Sequence, residues 1–448
     1  GGDATGGGAA GGGMGQRDID VAVLKLTSAG ALDTGFGDGG VAIIDHGQAL
    51  AALRDFGWDL GIDSAGRPVV FGIANTDRFV TRLTSSGELD TSFAVNGTSW
   101  LDFGYNDHLR LGLVQPDGKI VSAGYTALPT GVVSTLADGG TTEQTANSII
   151  LLRLNDDGTG DPTFGDAGVV IDNPLAATDG GLWGMAEAYV AVPHNGGYVT
   201  GGYGRWASSG TVDLVSFRWN NAGVRDTTWA TDGNLVFNLV GGDDRARNGV
   251  ALPNNRVAFV GSAVPTTNNL DGLVMITGSL GEVDTSAEVN DFDSNGYRLY
   301  SFDRANEAFW GVAVNAGATH LAVSGFRQGA TAAGTADNND DAVLAVVPLT
   351  GASAEFAQAV PLSTTANDRF WSVAWQDTKI IAAGFVTEGD DSRIAVARFN
   401  ADGSVDTSFG TNGVVTFNLA VGAGVEETAR SVKVTADGSI WLVANVEH

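Results

Sequence analysis

One short motif recurs along the whole chain, and this repetition restricts the fold more than any other feature of the sequence. Its clearest copy spans residues 405–413 and reads VDTSFGTNG. Shorter copies begin at five other places: Leu32, Leu89, Asp161, Asp226 and Val283. A turn glycine recurs seven times at intervals of 52 to 71 residues: Gly30, Gly87, Gly158, Gly223, Gly281, Gly351 and Gly403. A spacing of this size fits four short strands with their turns.

Each repeat has the pattern of four strands. A β-rich run precedes the turn glycine, as in residues 149–154, and a second run follows the aromatic residue of the motif, as in residues 168–172. Two further strands are joined by a hairpin turn such as residues 116–118. The side chain of the Asp at the start of each motif is predicted to form hydrogen bonds within the turn that follows it. A second glycine ends the strand after the hairpin turn in six repeats, which implies that another backbone approaches closely there: Gly72, Gly124, Gly202, Gly261, Gly325 and Gly384.

Seven units of four strands can protect their edges as an open solenoid or as a closed ring. The chain ends favour the ring, because residues 19–26 and 40–45 form the last half of a unit while residues 430–435 and 439–446 form the first half. We therefore predict an all-β fold, a seven-bladed β-propeller with four antiparallel strands per blade. Two N-terminal and two C-terminal strands close the last blade. This single domain spans residues 17–446, and residues 1–16 form a flexible, glycine-rich tether.

The repeats resemble the delta-60 repeat family of bacterial proteins, whose units of about sixty residues carry an L-D-x-S-F-G-x-x-G core and a P-D-G-K-I-x-x-A-G strand. Residues 89–93, 116–124 and 405–413 carry the resemblance best, and it covers nearly the whole chain after the tether. It weakens at residues 284–290 and 351–356, where motif residues are lost. The resemblance implies a propeller-like architecture and export, and it implies no particular activity.

The chain is strongly acidic, with 52 acidic and 24 basic residues and a formal net charge of −28. This charge argues against nucleic-acid and anionic-membrane binding, since both need clustered Lys and Arg, and it favours cations and basic partners. No cysteine is present, which excludes disulfides and thiolate metal sites. No apolar run approaches the roughly twenty residues of a membrane span. We expect a monomer that is extracellular or on a bacterial cell surface, with the periplasm as the alternative and the N-terminal linker as a candidate attachment.

Six carboxylates stand three residues before the Trp or Arg that opens the innermost strand of a unit: Asp55, Asp107, Asp244, Glu307, Asp368 and Glu427. If this strand lines the propeller axis, the six side chains form an acidic ring at one mouth of the channel. Such a ring would bind a hard cation such as Ca²⁺ or a basic group, since oxygen ligands suit hard cations. The alternative is that each carboxylate caps its own turn or pairs with an Arg of the adjacent blade.

One loop departs from the repeat pattern. Asp291, Asp293 and Asn295, followed by Gly296, match the first half of a calcium-binding loop, with oxygen ligands at alternate positions. The bidentate Glu that completes such a loop is missing, because Phe302 occupies its position. These residues predict a Ca²⁺ site, with an acidic hairpin turn as the alternative.

The sequence gives little support for catalysis. It contains no G-x-S-x-G motif, and its five histidines do not recur with the repeat. His108 next to Asp107 is the arrangement that would suit an enzyme best, because the carboxylate could orient the imidazole at the predicted channel mouth. The alternative is a hydrogen-bonded histidine at the rim of the channel.

The longest insertions join the second and third strands of their units, so they should emerge on one face of a propeller: residues 126–146, 205–210, 264–269 and 328–340. Inner-strand tryptophans such as Trp58, Trp310 and Trp371 could stack on a carbohydrate or pack between blades. We expect a rigid binding or interaction module for a protein or carbohydrate ligand, with Ca²⁺ as a candidate cofactor. The alternatives are a metal-assisted hydrolase or lyase at the channel mouth and a purely structural surface component.

Overall fold

Seven four-stranded antiparallel sheets make up the fold, and each sheet is one blade of a β-propeller. The structure is a computed structural model, and it describes residues 18–47, 54–135, 140–175, 184–206, 210–239, 242–265, 269–286, 295–302, 306–328, 331–332, 335–336, 339–349, 355–363, 366–420 and 424–447. The prediction of seven blades with four antiparallel strands each is confirmed. No helix in these ranges has the length and apolar character that crossing a membrane requires.

The strands follow one another from blade to blade along the chain. Blade 7 begins with β1 (Ile19–Leu26) and β2 (Val41–Ile44). Blade 1 contains β3 (Asp55–Ile62), β4 (Pro68–Ala74), β5 (Asp77–Arg82) and β6 (Thr98–Leu101). Blade 2 contains β7 (Asp107–Val114), β8 (Ile120–Thr135), β9 (Thr141–Leu154) and β10 (Val169–Asp172). Blade 3 contains β11 (Met185–His194), β12 (Gly197–Arg205), β13 (Asp213–Trp219) and β14 (Leu235–Phe237).

The second half of the chain repeats this arrangement. Blade 4 contains β15 (Arg245–Leu252), the 3₁₀ turn Pro253–Asn255, β16 (Arg256–Ala263), β17 (Asp271–Thr277) and β18 (Tyr297–Tyr300). Blade 5 contains β19 (Glu307–Val314), β20 (His320–Gln328), the small hairpin β21 (Thr331–Ala332) and β22 (Thr335–Ala336), then β23 (Asp340–Pro348) and β24 (Phe356–Ala359). Blade 6 contains β25 (Asp368–Gln376), β26 (Lys379–Glu388), β27 (Asp391–Asn400) and β28 (Val414–Phe417). The chain ends with β29 (Glu427–Val434) and β30 (Ile440–Glu447), which complete blade 7.

The two chain ends share blade 7, whose strand order is β2-β1-β30-β29. β1 pairs with β30 over its whole length, from Ile19 opposite Glu447 to Leu26 opposite Ile440. The middle of β1 is fully buried on both faces, because each blade packs between two others. The predicted closure of the ring by two strands from each end is therefore confirmed.

The aromatic residue of the repeat motif fills the space between neighbouring blades, and this explains the recurring turn glycine. Phe409 and Trp229 are buried, at 0% and 1% exposure. A Cβ atom on Gly30 would lie 2.5 Å from Cζ of Phe409, and a Cβ on Gly281 would overlap the indole of Trp229. Both glycines also have a positive φ, of 89° and 96°. The motif thus encodes a contact between one blade and the next.

The glycine that closes the second strand has a different cause. A Cβ atom on Gly124 would overlap the carbonyl oxygen of His108, and a Cβ on Gly384 would overlap that of Arg369. Both carbonyls belong to the innermost strand of the same blade, just before a β-bulge. The close backbone approach expected from the sequence therefore occurs within the blade.

Candidate ligand site in the central channel

The innermost strand of every blade carries a β-bulge at the same position. In β3, for example, the register with β4 shifts between Gly57 and Asp59, so Trp58 has no partner residue. A bulge turns the side chain of its extra residue in a new direction. The seven bulge residues come one from each blade: Trp58, Arg110, Tyr189, Arg247, Trp310, Trp371 and Arg430.

These seven side chains form a closed ring of stacking contacts, which we call the channel belt. Going round the channel, the distances from guanidinium carbon to ring centroid are 4.5 Å for Arg110 over Trp58, 4.7 Å for Arg110 over Tyr189, 4.8 Å for Arg247 over Tyr189, 4.6 Å for Arg247 over Trp310, 4.6 Å for Arg430 over Trp371 and 4.9 Å for Arg430 over Trp58. Trp310 and Trp371 complete the ring with an edge-to-face contact at 5.1 Å. Each guanidinium therefore lies between two aromatic rings of the belt.

Arg430 is the most isolated cation of the channel belt. Burial and the positive charges of Arg110 and Arg369 lower the pKa of Arg430 to about 10, so its guanidinium is still charged at neutral pH. It forms no ion pair or hydrogen bond with any residue that the structure describes. Its contacts are the rings of Trp58 and Trp371.

A cavity of about 360 Å³ lies against the channel belt and extends along the innermost strands. Its lining combines all seven belt residues with Val190, Val192, Val250 and Val312 and with several polar side chains. The charged groups in the lining are Arg110, Arg247, Arg430, Lys433 and Asp59. The cavity is thus lined by four cations and one carboxylate, although the whole chain has a net charge of −28.

Asp59 is fixed by donors from three blades. It is only 3% exposed. Its Oδ1 accepts hydrogen bonds from the Ser431 hydroxyl at 2.6 Å and the Leu60 N–H at 2.8 Å, and it lies 3.0 Å from the Lys433 ammonium. Its Oδ2 accepts from the Gly112 N–H at 3.1 Å. This carboxylate therefore joins blade 1 to blades 7 and 2 inside the channel.

The six carboxylates predicted to form an acidic ring are all buried, at 0–1% exposure. Each opens an innermost strand and accepts a hydrogen bond from the loop before it, at 2.6–3.1 Å. The donors, in chain order, are the N–H groups of His46, Phe103, Leu239, Phe302, Leu362 and Leu419. These hydrogen bonds tie the start of each innermost strand to the loop that comes from the preceding blade. A role in ligand binding stays a prediction for Asp55, Asp107, Asp244, Glu307, Asp368 and Glu427.

Burial also changes the acidity of these groups. It raises the pKa of Asp55, Asp244 and Asp368 to about 6, and the backbone N–H donors oppose that rise. At Asp55 the nearby carboxylates Asp20 and Asp45 raise the pKa further. Burial raises the pKa of Asp107 as well.

His108 and Asp107 are neighbours in β7, but their side chains have different surroundings. Asp107 accepts from the Phe103 N–H at 2.8 Å and from the hydroxyl of Thr126. The imidazole of His108 is stacked on the ring of Tyr125, with centroids 4.6 Å apart. The two described oxygen contacts of Asp107 are thus with groups other than His108, and the catalytic pairing stays a prediction.

Two other predicted features fall partly outside the described residues. Asp291 and Asp293 of the predicted calcium loop lie outside them, and Asn295 is described in the turn before β18. Of the long insertions, residues 126–135 and 141–146 continue β8 and β9 beyond the blade as paired strands, with Thr135 opposite Thr141. This extension lies at the end of the sheet where Asp107 opens β7, because Asp107 pairs with Thr126.

Comparison with known proteins agrees with the repeat architecture. The profile of the family described as "Domain of unknown function (DUF5122) beta-propeller" matches residues 134–164 and 376–409. The chain is a repeat-built β-propeller. The comparison with curated protein sequences gave no match.

Solved structures that resemble this propeller are distant from it in sequence. They include the polysaccharide lyase Uly1 (TM-score 0.46, 9% identity, 95% of this chain and 98% of that chain) and Sqt1 from Chaetomium thermophilum (TM-score 0.39, 13% identity, 85% and 75%). A protein from Lactobacillus plantarum gives a TM-score of 0.36 at 9% identity, covering 89% and 100%. Similarities of this size do not bear on what the propeller binds.

Several residues of this site are absent from the sequence-based candidates. Six belt positions are visible in the sequence as the Trp or Arg that follows a carboxylate by three residues, but Tyr189 follows Ala186 and so breaks that pattern. Asp59 and Lys433 have no repeat counterpart of the same type. The sequence signal that could have located the belt is the recurring glycine of the second strand. This glycine, for example Gly124, faces the innermost strand next to its bulge.

Proposed function

We propose that this propeller is a binding module and that its central cavity takes a ligand with an anionic group next to a flat or apolar face. The anion can be a carboxylate, a sulfate or a phosphate. The observation that carries the proposal is Arg430, a charged guanidinium in the cavity lining whose contacts within the described chain are aromatic rings. An anion bound in the cavity would add a direct partner to the through-space charge of Glu426, which raises the pKa of Arg430.

The local charge supports this choice of ligand. A cavity with four cations and one carboxylate attracts anions even in an acidic protein, because the nearest charges dominate where solvent screening is weak. Asp59 is already engaged by the Ser431 hydroxyl and the Lys433 ammonium, so it neutralises Lys433 more than it neutralises the belt. The preference for cations that the net charge suggests therefore applies to the outer surface.

The shape of the site supports a rigid mode of binding. The cavity volume of about 360 Å³ is within the usual range for small-molecule sites. The belt side chains hold one another in place by stacking, so a ligand would meet cations that are already oriented. The aromatic faces offer a surface for a sugar ring or for the side chains of a peptide. A location outside the cell stays a prediction.

A titration with four probes tests the proposal. Tryptophan fluorescence and calorimetry would be measured with an oligosaccharide of glucuronic acid, a neutral oligosaccharide, an acidic peptide and inorganic sulfate. We expect saturable binding of at least one anionic probe, no binding of the neutral one, and weaker binding as salt rises. Identifying the anionic probe that binds would distinguish the sources of the anion.

Two variants make the test specific. Arg430→Gln should weaken binding at least about tenfold, because a charge-assisted hydrogen bond contributes about 1.5–3 kcal/mol. Arg225→Gln is the control, since Arg225 is a partly exposed cation outside the cavity lining and lies 3.7 Å from Asp172. The proposal would be wrong if no anionic probe bound, or if both variants bound the probe as tightly as the unchanged protein.

A further inference from the structure

Three carboxylates meet where blade 7 joins blade 1. Asp20 lies on β1, Asp45 directly follows β2, and Asp55 opens β3. One carboxylate oxygen of each lies within 4.8 Å of the others. Asp20 and Asp55 are buried, at 6% and 1% exposure, whereas Asp45 is exposed. We call these three residues the closure cluster, because they connect the N-terminal strands to the first complete blade.

One oxygen of the closure cluster lacks a partner. Oδ2 of Asp55 accepts a hydrogen bond from the His46 N–H at 2.7 Å. Oδ1 of Asp55 is buried and has no hydrogen-bond partner among the residues that the structure describes. Buried carboxylate oxygens are normally satisfied, since an unsatisfied one is unfavourable. Here the neighbouring groups Asp20 and Asp45 are themselves acidic, so a bound cation would relieve both the repulsion and the missing contact.

A second cluster, one blade further on, provides an internal comparison. Asp77, Asp102 and Asp107 meet in the same way at β5, β6 and β7, and we call them the matched cluster. Both oxygens of Asp107 are satisfied, one by the Phe103 N–H and the other by the Thr126 hydroxyl.

The two clusters differ at the residue opposite the buried carboxylate. Thr126 pairs with Asp107 across β7 and β8, and Ala74 pairs with Asp55 across β3 and β4. The closure cluster therefore lacks the hydroxyl that completes the carboxylate in the matched cluster. Between these two clusters, the oxygen without a partner occurs in the one that has alanine in place of threonine. Other carboxylates that open innermost strands, such as Glu427, also have one buried oxygen without a hydrogen bond among the described residues, but Asp55 has two further carboxylates beside it.

We propose that the closure cluster of Asp20, Asp45 and Asp55 binds one Ca²⁺. Calcium takes oxygen ligands at about 2.3–2.6 Å, so two ligands of one ion lie at most about 5 Å apart, which suits the 4.8 Å limit of the cluster. The exposed side at Asp45 leaves room for water ligands to complete the coordination. The ion would tie β1 and β2 to β3. This site is separate from the channel cavity and does not depend on the anionic ligand proposed there.

Calcium binding to the full chain tests the assignment. Protein stripped with EDTA would be titrated with CaCl₂ by calorimetry and melted with and without the ion. We expect one Ca²⁺ per chain at this site and a rise in melting temperature of at least about 2 °C at saturation, since an ion that binds the native state stabilises it. Mg²⁺ should bind more weakly, because it demands tighter octahedral geometry. The absence of any binding up to millimolar Ca²⁺ would overturn the proposal.

Three variants assign the ion to the closure cluster. Asp45→Asn changes an exposed ligand and should weaken Ca²⁺ binding at least about tenfold with the fold intact. Ala74→Thr supplies a hydroxyl to Asp55 and should also weaken binding, because it occupies the free oxygen. Asp102→Asn alters the matched cluster and should leave Ca²⁺ affinity unchanged. Unchanged affinity in Asp45→Asn, or loss of binding in Asp102→Asn, would contradict the assignment.

Discussion

The ammonium of Lys433 lies 3.0 Å from Oδ1 of Asp59, so a side chain near the end of the chain contacts one near its beginning inside the channel. Asp59 is nearly buried, whereas the side chain of Lys433 is 41% exposed. The same carboxylate also accepts hydrogen bonds from Ser431 and Gly112. The contact between the two chain ends therefore depends on Asp59 more than on Lys433.

Replacing Asp59 should destabilise the propeller far more than replacing Lys433. Asp59→Ala leaves the Ser431 hydroxyl and the Gly112 N–H without their acceptor, and we expect a loss of about 2–4 kcal/mol in the free energy of unfolding. Lys433→Met removes a partly exposed ion pair and should change it by less than about 1 kcal/mol. Urea unfolding of both variants measures the difference. Equal losses in the two variants would show that the carboxylate does not organise this contact.

The channel belt should contribute energy through pairs of neighbours. Arg247 lies over Tyr189 at 4.8 Å, and both side chains are largely buried. A double-mutant cycle with Arg247→Met and Tyr189→Leu should give a coupling energy of about 0.5–2 kcal/mol, because a desolvated cation over a ring is attracted to it. The same cycle with Arg247→Met and Trp58→Leu joins belt residues of blades 4 and 1, which are not neighbours in the belt, and we expect coupling near zero. A coupling near zero in the first cycle would mean that the belt is held by strand packing alone.

The sequence predicts those parts of the fold in which one residue type is required at one place. Glycine is required at position 281 because the indole of Trp229 occupies the space where a Cβ would be, and a Cβ at Gly30 would meet the ring of Phe409 in the same way. The belt is different, because a bulge needs no particular side chain, so Trp58, Arg110 and Tyr189 share a position without sharing a residue type. Contacts between distant segments, such as the one between Asp59 and Lys433, follow only from the three-dimensional ring.

Because the turn glycine of the motif contacts the next blade, adding one methyl group there should lower the stability of the protein strongly. Gly281→Ala should destabilise the protein by more than about 2 kcal/mol, because the new Cβ overlaps Trp229 and the residue has a φ of 96°. Gly389→Ala is the control, since Gly389 also has a positive φ, of 66°, but has no atom within 4 Å of the added Cβ. It should lose about 1 kcal/mol from backbone strain alone. Thermal or urea unfolding compares the two, and a similar loss in both would mean that Trp229 moves freely aside.

The Asp of the motif predicts how stability depends on pH. Asp161 is buried, and burial by itself would raise its pKa. Contacts from Lys119 at 2.7 Å, from Thr163 and from Arg153 at 2.7 Å outweigh this effect and hold the pKa of Asp161 well below the ordinary value. An acid with a lowered pKa in the folded state stabilises the protein above its unfolded pKa, and this contribution is lost as pH falls below about 4. Asp161→Asn should therefore lose about 2–4 kcal/mol at pH 7. The difference from the unchanged protein should shrink as pH falls below about 4, whereas Asp166→Asn, in an exposed turn of the same blade, should show little difference at either pH. Urea unfolding across this range measures both variants, and a loss in Asp161→Asn that stays constant down to pH 3 would show that its carboxylate charge is not what stabilises the turn.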